Sequence, residues 1–291
     1  MSENIDLIRL IQSKFHNLSK GQKIIAQYIM SNYDKAAFMT AAKLGEKVGV
    51  SESTVVRFAN AIGFIGYPQL QKQLQEMVKT KLTTVQRIEM SSDYSNEESV
   101  LKNVLKADIE NIRATLDEIN YAVFENVVKG ITESRSVYIV GLRSSTALAE
   151  FLGFYLNLIM DKVHVVTYTI GDIFEQLLRV NENDLVIGMG FPRYSSRTVN
   201  ALEYCKSRGA KVVAITDSLL SPLASNADYT LIAKSNMESF VDSIVAPLSV
   251  LNALIIAVGI KEKSNLSSSF ARLEEIWEKY NIFSTEGDDG Y

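Results

Sequence analysis

Two serine-rich loops carry the residue types best suited to binding chemistry in this sequence. They read GLRSST over residues 141–146 and GFPRYSSRT over residues 190–198. Each loop places two adjacent serines, at 144–145 and 195–196, at the predicted start of a helix, where free backbone amides and the helix dipole favour an anion. Three arginines in the same loops add positive charge: Arg143, Arg193 and Arg197. The loops predict a phosphate site, although any one of the serines could instead be only a helix cap.

Little else in the sequence supplies a catalytic or metal site. With His16 and His164 as its two histidines and Cys205 as its one cysteine, the chain excludes a disulfide scaffold and a cysteine-rich zinc module. No P-loop, complete dinucleotide-binding glycine motif or G-x-S-x-G nucleophile elbow is present. We therefore predict no catalytic residue, no metal and no cofactor. Glu150 and Glu175 follow the first and second strand-end loops and could still serve as a base.

A second binding pattern lies near the N-terminus. Residues 40–62 read TAAKLGEKVGVSESTVVRFANAI, in which a helix over 41–48 is broken by Gly49 and a second helix begins at Ser51. This is the spacing of a helix-turn-helix, whose second helix enters the major groove of DNA. The predicted DNA contacts are Lys43, Ser51, Ser53, Thr54 and Arg57. Arg57 is the best candidate for reading a base because arginine donates two parallel hydrogen bonds to guanine, whereas Ser51 is expected first to cap its helix.

Charge is divided unevenly between these two patterns. The 291 residues carry 30 basic and 34 acidic side chains, a net charge of -4. Residues 1–80 hold 10 basic and 6 acidic side chains, or +4, which leaves 20 basic and 28 acidic ones, or -8, for residues 81–291. Such a division favours a DNA-binding segment joined to a segment with another task. Chance scatter of charge over the first 80 residues remains the alternative.

The elements that must position these residues differ between the two parts of the chain. Residues 1–80 have apolar side chains at helical spacing and no alternating strand pattern, which predicts an all-α domain. Beyond residue 128, short β-rich runs alternate with helix-length segments, notably 146–160 and 196–208. The five predicted strands span 136–140, 163–167, 184–189, 211–215 and 229–233. This pattern indicates a doubly wound α/β domain with a five-stranded parallel sheet, whose ligands bind at the carboxyl ends of the strands.

Composition also suggests where the domains begin and end. We predict a DNA-binding domain over 1–78, a linker and connecting helix over 79–124, an α/β domain over 125–267, and a C-terminal helix with an acidic tail over 268–291. The best linker candidate is the polar stretch 81–99, and residues 284–291 are expected to fray. The uncharged stretch 243–260 is interrupted by polar residues, which predicts a buried or subunit-interface helix rather than a membrane span. The polar N-terminus and the single cysteine favour a cytoplasmic protein without a signal peptide.

Residues 1–77 resemble the N-terminal domain of the RpiR family of bacterial transcriptional regulators. The most specific blocks are VSESTVVRF and GFIGYPQL, the second over residues 63–70. Residues 125–266 resemble the sugar isomerase (SIS) domain that such regulators carry, and the most specific blocks are GLRSSTALAEFLGFYL, FPRYSSRTVNALEYCKSRGAKVVAITDSLLSPLA and SFVDSIVAPLSVLNALI. The resemblance implies an all-α helix-turn-helix domain followed by a flavodoxin-like α/β domain.

The resemblance also implies a ligand. In SIS domains the serine- and threonine-rich loops after the first and third strands bind a phosphorylated sugar. Carried over by position, with Arg143 added for its charge, the ligands would be Arg143, Ser144, Ser145, Ser195, Ser196 and Thr198. The second loop departs from the common S-x-S-G-x-T form, because Ser196 replaces the glycine and residues 191–194 replace the first serine region.

These observations together predict a regulator rather than an enzyme. The resemblance to SIS isomerases implies the alternative, an active phosphosugar isomerase with Glu150 or Glu175 as its base. We expect a transcriptional regulator of carbohydrate or amino sugar metabolism genes, with double-stranded operator DNA and a phosphorylated sugar effector as its partners. A helix-turn-helix protein usually binds DNA as a dimer, so we expect a homodimer or homotetramer. The apolar segments 151–160 and 244–260 are predicted to form the interface between copies, and no membrane partner is expected.

Overall fold

The chain folds as two units, Met1–Ser95 and Asn96–Tyr291. The computed structural model describes residues 7–81, 85, 87–88, 97–237 and 240–283. Most of the linker predicted over 81–99, and the whole of the tail predicted over 284–291, lie outside these described residues. Within them, no helix has both the length and the apolar character that a membrane span requires.

The N-terminal unit is helical, as its apolar spacing predicts. Its helices are α1 (Leu7–Lys14), α2 (Lys20–Ser31), α3 (Tyr33–Ala36), α4 (Ala41–Val48), α5 (Glu52–Ile62) and α6 (Gly66–Lys81). Ser51 caps α5, as predicted, and Ser19 and Thr40 cap α2 and α4 in the same way, each accepting an amide hydrogen bond at the start of its helix. The largest fully buried side chains of this unit are Ile11, Ile25, Ile29, Leu44, Phe58, Ile62, Leu70 and Leu74.

Helices α4 and α5 form the predicted helix-turn-helix. The first of them ends at Gly49, which has a φ of 74° in the left-handed region that favours glycine. A second glycine, Gly45, lies inside α4, where an added methyl group would lie 2.7 Å from the carbonyl oxygen of Val50. The close approach of the turn to α4 therefore requires glycine at position 45 as well, a requirement that the helical spacing of the sequence does not predict.

Side chains of α6 donate hydrogen bonds to the backbone of residues 37–39, which lead into α4. The hydroxyl of Tyr67 donates to the carbonyl oxygen of Met39 at 2.8 Å, and Nε2 of Gln71 donates to the same oxygen at 3.0 Å. Nε2 of Gln75 donates to the carbonyl oxygen of Ala37 at 3.2 Å. Burial raises the pKa of Tyr67 to about 12. Because carbonyls shielded from water need partners, these bonds hold residues 37–39 against α6.

The C-terminal unit begins with two helices, α7 (Glu97–Glu118) and α8 (Tyr121–Glu133). The strands that follow are β1 (Val137–Gly141), β2 (Val163–Val166), β3 (Leu185–Met189), β4 (Lys211–Thr216) and β5 (Tyr229–Ile232). The further helices are α9 (Thr146–Ile159), α10 (Ile173–Gln176), α11 (Ser196–Ser207), α12 (Val245–Lys261) and α13 (Lys263–Lys279). Every predicted strand is present, with ends that differ from the prediction by at most one residue. The connection from β4 to β5 contains only a 3-10 turn, at Ala224–Asn226.

The five strands form one parallel sheet in the order β2-β1-β3-β4-β5. This is the flavodoxin-like order, in which ligands bind where the winding reverses between β1 and β3. Gly141 is paired with Met189 across these two strands, so the loops after them leave the sheet side by side. Side chains of β1 alternate between two cores: Ile139 packs with α8, α9 and α12, and Val140 packs with α10 and α11.

Candidate functional site

The start of α5 gathers the hydroxyl groups predicted to contact DNA. Ser51 Oγ accepts the amide of Thr54 at 3.3 Å, and it lies 3.0 Å from Ser53 Oγ and 2.8 Å from Thr54 Oγ1. Nε of Arg57 donates to the carbonyl oxygen of Ser53 at 3.2 Å. Ser51, Ser53 and Arg57 are exposed. Four of the predicted contacts thus share one exposed helix end, where free amides can meet phosphate and an arginine can meet base edges.

The fifth predicted DNA contact, Lys43, lies on the preceding helix. Its amide donates to Oγ1 of Thr40, the cap of α4, at 3.3 Å. Its side chain is exposed, as is that of Lys47 one turn later. In a helix-turn-helix the first helix crosses the DNA backbone, so an exposed ammonium on α4 suits a phosphate contact.

The first serine loop leaves β1 through a 3-10 turn, Arg143–Ser145, and enters α9. Arg143 has a φ of 59°, and such left-handed backbone in a non-glycine residue is uncommon and clusters at functional sites. The hydroxyl of Thr146 donates to the carbonyl oxygen of Gly141 at 3.1 Å and closes the loop. Ser144 is exposed, whereas Ser145 is buried and its side chain makes no capping hydrogen bond to α9.

The second serine loop is built differently. Arg193 has a φ of 65°, so each loop holds an arginine in the left-handed region just before its serines. Ser195 caps α11, because its Oγ accepts the amide of Thr198 at 3.4 Å. Thr198 is 1% exposed, and its Oγ1 has no hydrogen-bond partner among the residues that the structure describes. Ser196 is exposed beside it. A buried hydroxyl of this kind costs free energy unless a ligand or a water satisfies it.

Arg197 belongs to the second serine loop, but its side chain contacts the connection between β2 and β3. Its guanidinium donates to Asp172, the cap of α10, and lies 5.9 Å from the centre of the Phe174 ring. The amide of Phe174 and then the Arg197 guanidinium hold the pKa of Asp172 below its ordinary value. Oε2 of Glu175 accepts the amide of Asp172 at 3.0 Å, which completes a capping box. Both Arg197 and Glu175 are thus engaged in holding the β2–β3 connection.

Glu150, the other possible base, and His164 are both exposed. Glu150 lies on the solvent side of α9. His164 lies on β2, an edge strand, and its ring centre is 4.8 Å from that of Tyr138.

A polar cluster joins the second serine loop to the ends of β4 and β5. The hydroxyl of Tyr194 donates to Oδ1 of Asp217 at 2.7 Å, and Asp217 directly follows β4 and is 3% exposed. Oγ1 of Thr216 lies 3.4 Å from the same carboxylate oxygen. Nζ of Lys234 donates to the carbonyl oxygen of Asp217 at 3.3 Å. Residue 217 stands at the carboxyl edge of the sheet, where such a doubly wound domain binds its ligands, but its contact with Tyr194 joins residues that meet only in the folded chain.

Two protein-family models match this chain. Residues 5–81 match the helix-turn-helix domain of the rpiR family, and residues 130–257 match the SIS domain. An HTH-type transcriptional regulator of Haemophilus influenzae is 26% identical over 234 residues, which are 80% of this chain and 81% of that protein. HexR of Pseudomonas aeruginosa, also an HTH-type transcriptional regulator, is 22% identical over 93% of this chain and 95% of its own length.

Two solved structures are similar to this chain as well. The sugar isomerase domain of an RpiR transcription factor from Sphaerobacter thermophilus is 31% identical, with a TM-score of 0.57, and the match covers 60% of this chain and 97% of that one. Vibrio vulnificus NanR, solved in complex with ManNAc-6P, is 18% identical, with a TM-score of 0.59, over 96% of this chain and 100% of its own, and it shares the fold. The matched domains and their order show that this chain is a transcriptional regulator with helix-turn-helix and SIS domains, and that it belongs to the RpiR family.

Proposed function

We propose that this regulator controls genes of carbohydrate or amino sugar metabolism, and that its SIS unit binds a phosphorylated sugar that changes its affinity for operator DNA. The observation that carries the proposal is the pair of serine loops on adjacent strands. Ser145 is buried without a capping bond, and Thr198 Oγ1 has no partner within the described residues. The ManNAc-6P complex of NanR supports a phosphosugar as the class of ligand.

The proposed ligands combine hydroxyl groups with backbone amides. They are Arg143, Ser144, Ser145, Ser195, Ser196 and Thr198. Helices α9 and α11 begin at these loops, so their first amides and their dipoles add to the attraction for a phosphate dianion. Ser195 contributes less to the proposed site than the other serines, because its Oγ already accepts the amide of Thr198 in capping α11.

We propose further that the SIS unit is not catalytic. Isomerisation of a sugar phosphate needs a base within hydrogen-bond reach of the proton that moves. Glu175 accepts the Asp172 amide in the capping box, and Glu150 lies on the exposed side of α9, so neither is positioned by the serine loops. The test is incubation of the protein with sugar phosphates, followed by NMR. Turnover at an enzyme-like rate would contradict the proposal and favour the isomerase as the function.

The ligand proposal is tested by thermal unfolding of the full chain. The probes are N-acetylmannosamine 6-phosphate and other sugar 6-phosphates, with unphosphorylated N-acetylmannosamine and inorganic phosphate for comparison. A phosphorylated sugar should raise the unfolding temperature, since a ligand at 100 times its Kd stabilises the native state by about 2.7 kcal/mol. Ser145→Ala should raise the Kd for this ligand at least about tenfold, the loss of affinity expected when a hydrogen bond worth ~1.4 kcal/mol is removed.

Ser207→Ala is the matched control for that variant. Ser207 ends α11, and its hydroxyl donates to the carbonyl oxygen of Tyr204 at 2.7 Å, within the helix itself. This control should bind the sugar phosphate like the wild type. The site proposal is wrong if Ser145→Ala also binds like the wild type, and the ligand class is wrong if no phosphorylated sugar stabilises the full chain.

We propose that two or four copies of the chain assemble through α9 and α12 and act on DNA in the cytoplasm. Phe154 and Tyr155 on α9, and Ile256 and Ile260 on α12, are exposed apolar side chains. A second copy would bury them and would bring two helix-turn-helix units to two half-sites about 34 Å apart.

A further inference from the structure

We infer that a chain of polar contacts connects the second serine loop with α7, the helix through which the chain enters the C-terminal unit. Oη of Tyr194 donates to Oδ1 of Asp217 at 2.7 Å. The carbonyl oxygen of Asp217 accepts from Nζ of Lys234 at 3.3 Å. The same ammonium lies 2.6 Å from Oε2 of Glu118, the last residue of α7. These four residues, Tyr194, Asp217, Lys234 and Glu118, are called the relay below.

Further hydrogen bonds hold α7 against the segment that follows β5. The side chain of Asn111 both donates to and accepts from the backbone of Asn236, at 3.0 and 3.1 Å. Oγ1 of Thr115 accepts the amide of Lys234 at 2.8 Å. Asn111 and Thr115 are buried, so these bonds lie inside the contact rather than at its edge. Lys234, the third residue of the relay, thus contacts α7 through both its backbone amide and its side chain.

The large apolar side chains of α7 are exposed, and the buried residues of this helix are Asn111 and Thr115. Five of them are Leu101, Leu105, Ile109, Ile112 and Leu116. Their spacing of three or four residues places them on one face of the helix. The seating of α7 on its own unit therefore depends strongly on directional hydrogen bonds, whereas apolar packing alone would tolerate sliding. A small displacement of Lys234 should reach α7.

The relay suggests how the proposed effector acts, and in this respect it rests on the proposed function. Tyr194 immediately precedes Ser195, so a phosphate held by the second serine loop repositions the residue that starts the relay. The shift of Tyr194 against Asp217 then alters the contact of Lys234 with Glu118. Because α7 is the first helix after the N-terminal unit in the chain, its seating conveys occupancy of the sugar site toward the DNA-binding helices.

A first experiment on the full chain needs no ligand. Glu118→Ala removes the last contact of the relay, and Glu118 is 46% exposed, so the change opens no cavity. Glu110→Ala is the matched control, since Glu110 is an exposed glutamate of the same helix that pairs with Arg113. Hydrogen exchange should become at least about threefold faster in residues 190–198 of Glu118→Ala and stay unchanged in Glu110→Ala. Tyr194→Phe should in turn speed exchange in residues 108–118. If neither variant changes exchange at the other end, the relay is wrong whether or not a sugar phosphate binds.

A second experiment measures the response to ligand. Its probes are the sugar phosphate found by thermal unfolding and a DNA site selected by the full chain from random sequence. Wild type and Glu110→Ala should change their DNA affinity on adding the sugar phosphate by a factor in the typical 5–150-fold range. Glu118→Ala should still bind the sugar phosphate, while its DNA response falls to less than about twofold. A normal response in Glu118→Ala overturns the relay. If no phosphorylated sugar binds the wild type, the proposed function fails, and hydrogen exchange still decides the relay.

Discussion

At the scale of single residues, two serines with the same sequence context have different surroundings. Ser145 and Ser195 both stand next to another serine at the start of a helix. Ser195 is extended and caps α11, whereas Ser145 ends a 3-10 turn in helical backbone, and its side chain makes no capping bond to α9. The difference comes from the 3-10 turn after β1, which holds Ser145 in helical backbone instead of the extended conformation of a cap.

Arg57 should decide which DNA sequence is read. Arg57→Ala is expected to cost about 1–3 kcal/mol on the preferred DNA site and to relax the preference at one base pair, because a bidentate contact to guanine would be lost. The measurement is a set of gel shifts at fixed salt with the selected site and its single-base variants.

Lys43→Ala serves as the comparison for Arg57→Ala. It should weaken binding evenly across sequences and reduce the slope of log affinity against log salt by about 1, as expected for a phosphate contact. An even loss on all sequences in Arg57→Ala would reassign this arginine to phosphate.

At the scale of elements, the sequence predicts most of the fold. Caps at Ser19, Thr40 and Ser51 mark helix starts through a local hydrogen bond, and buried parallel strands appear as short β-rich runs, so both are visible without tertiary information. The requirement for Gly45 and the polar seating of α7 involve residues that meet only in the folded chain. For this reason the relay could not be predicted, although Tyr194 lies inside a loop that the sequence identifies.

Tyr67 should make the stability of the N-terminal unit sensitive to alkaline pH. Burial raises the pKa of its hydroxyl from 10.0 to about 12, so its contribution is complete below pH 10 and is lost as the pH rises toward 12. In this range the free energy of unfolding should fall by about 1.4 kcal/mol per pH unit from this group alone. The check is denaturant unfolding, followed by circular dichroism, at pH 8 to 11.

Tyr67→Phe isolates the effect of this hydroxyl. At neutral pH the variant should lose about 0.5–1.5 kcal/mol, a modest amount because Gln71 still donates to the Met39 carbonyl at 3.0 Å. Above pH 10 its stability should fall less steeply than that of the wild type. Parallel pH curves for the two proteins would show that the hydroxyl does not cause the sensitivity.

At the scale of the whole molecule, the DNA-binding part and the rest of the chain carry opposite net charges. The net charge of -4 joins +4 in the first 80 residues to -8 in the remainder. An acidic chain is therefore compatible with DNA as a partner, because the positive charge lies in the part that carries the helix-turn-helix. The acidic C-terminal part should repel DNA, which favours contact through the N-terminal unit alone.

Self-association should depend on the exposed apolar side chains of α12. Ile256 is 63% exposed in the single chain, so Ile256→Asp should leave folding intact and shift the mass measured by light scattering toward the monomer. Leu178→Asp is the control, because Leu178 is 67% exposed but lies beyond α10, on the other face of the sheet. If Ile256→Asp keeps the mass of the wild type, the copies associate through another surface.

The buried thiol of Cys205 makes this protein well suited to site-specific labelling. Cys205 is the one cysteine in the chain, it is fully buried on α11, and burial raises its pKa to about 12. Since the thiolate is the reactive form, the folded protein should resist alkylation. A cysteine introduced at exposed Asn60 of α5 would then be the only reactive thiol, and a fluorophore there would report the separation of two recognition helices as a sugar phosphate is added.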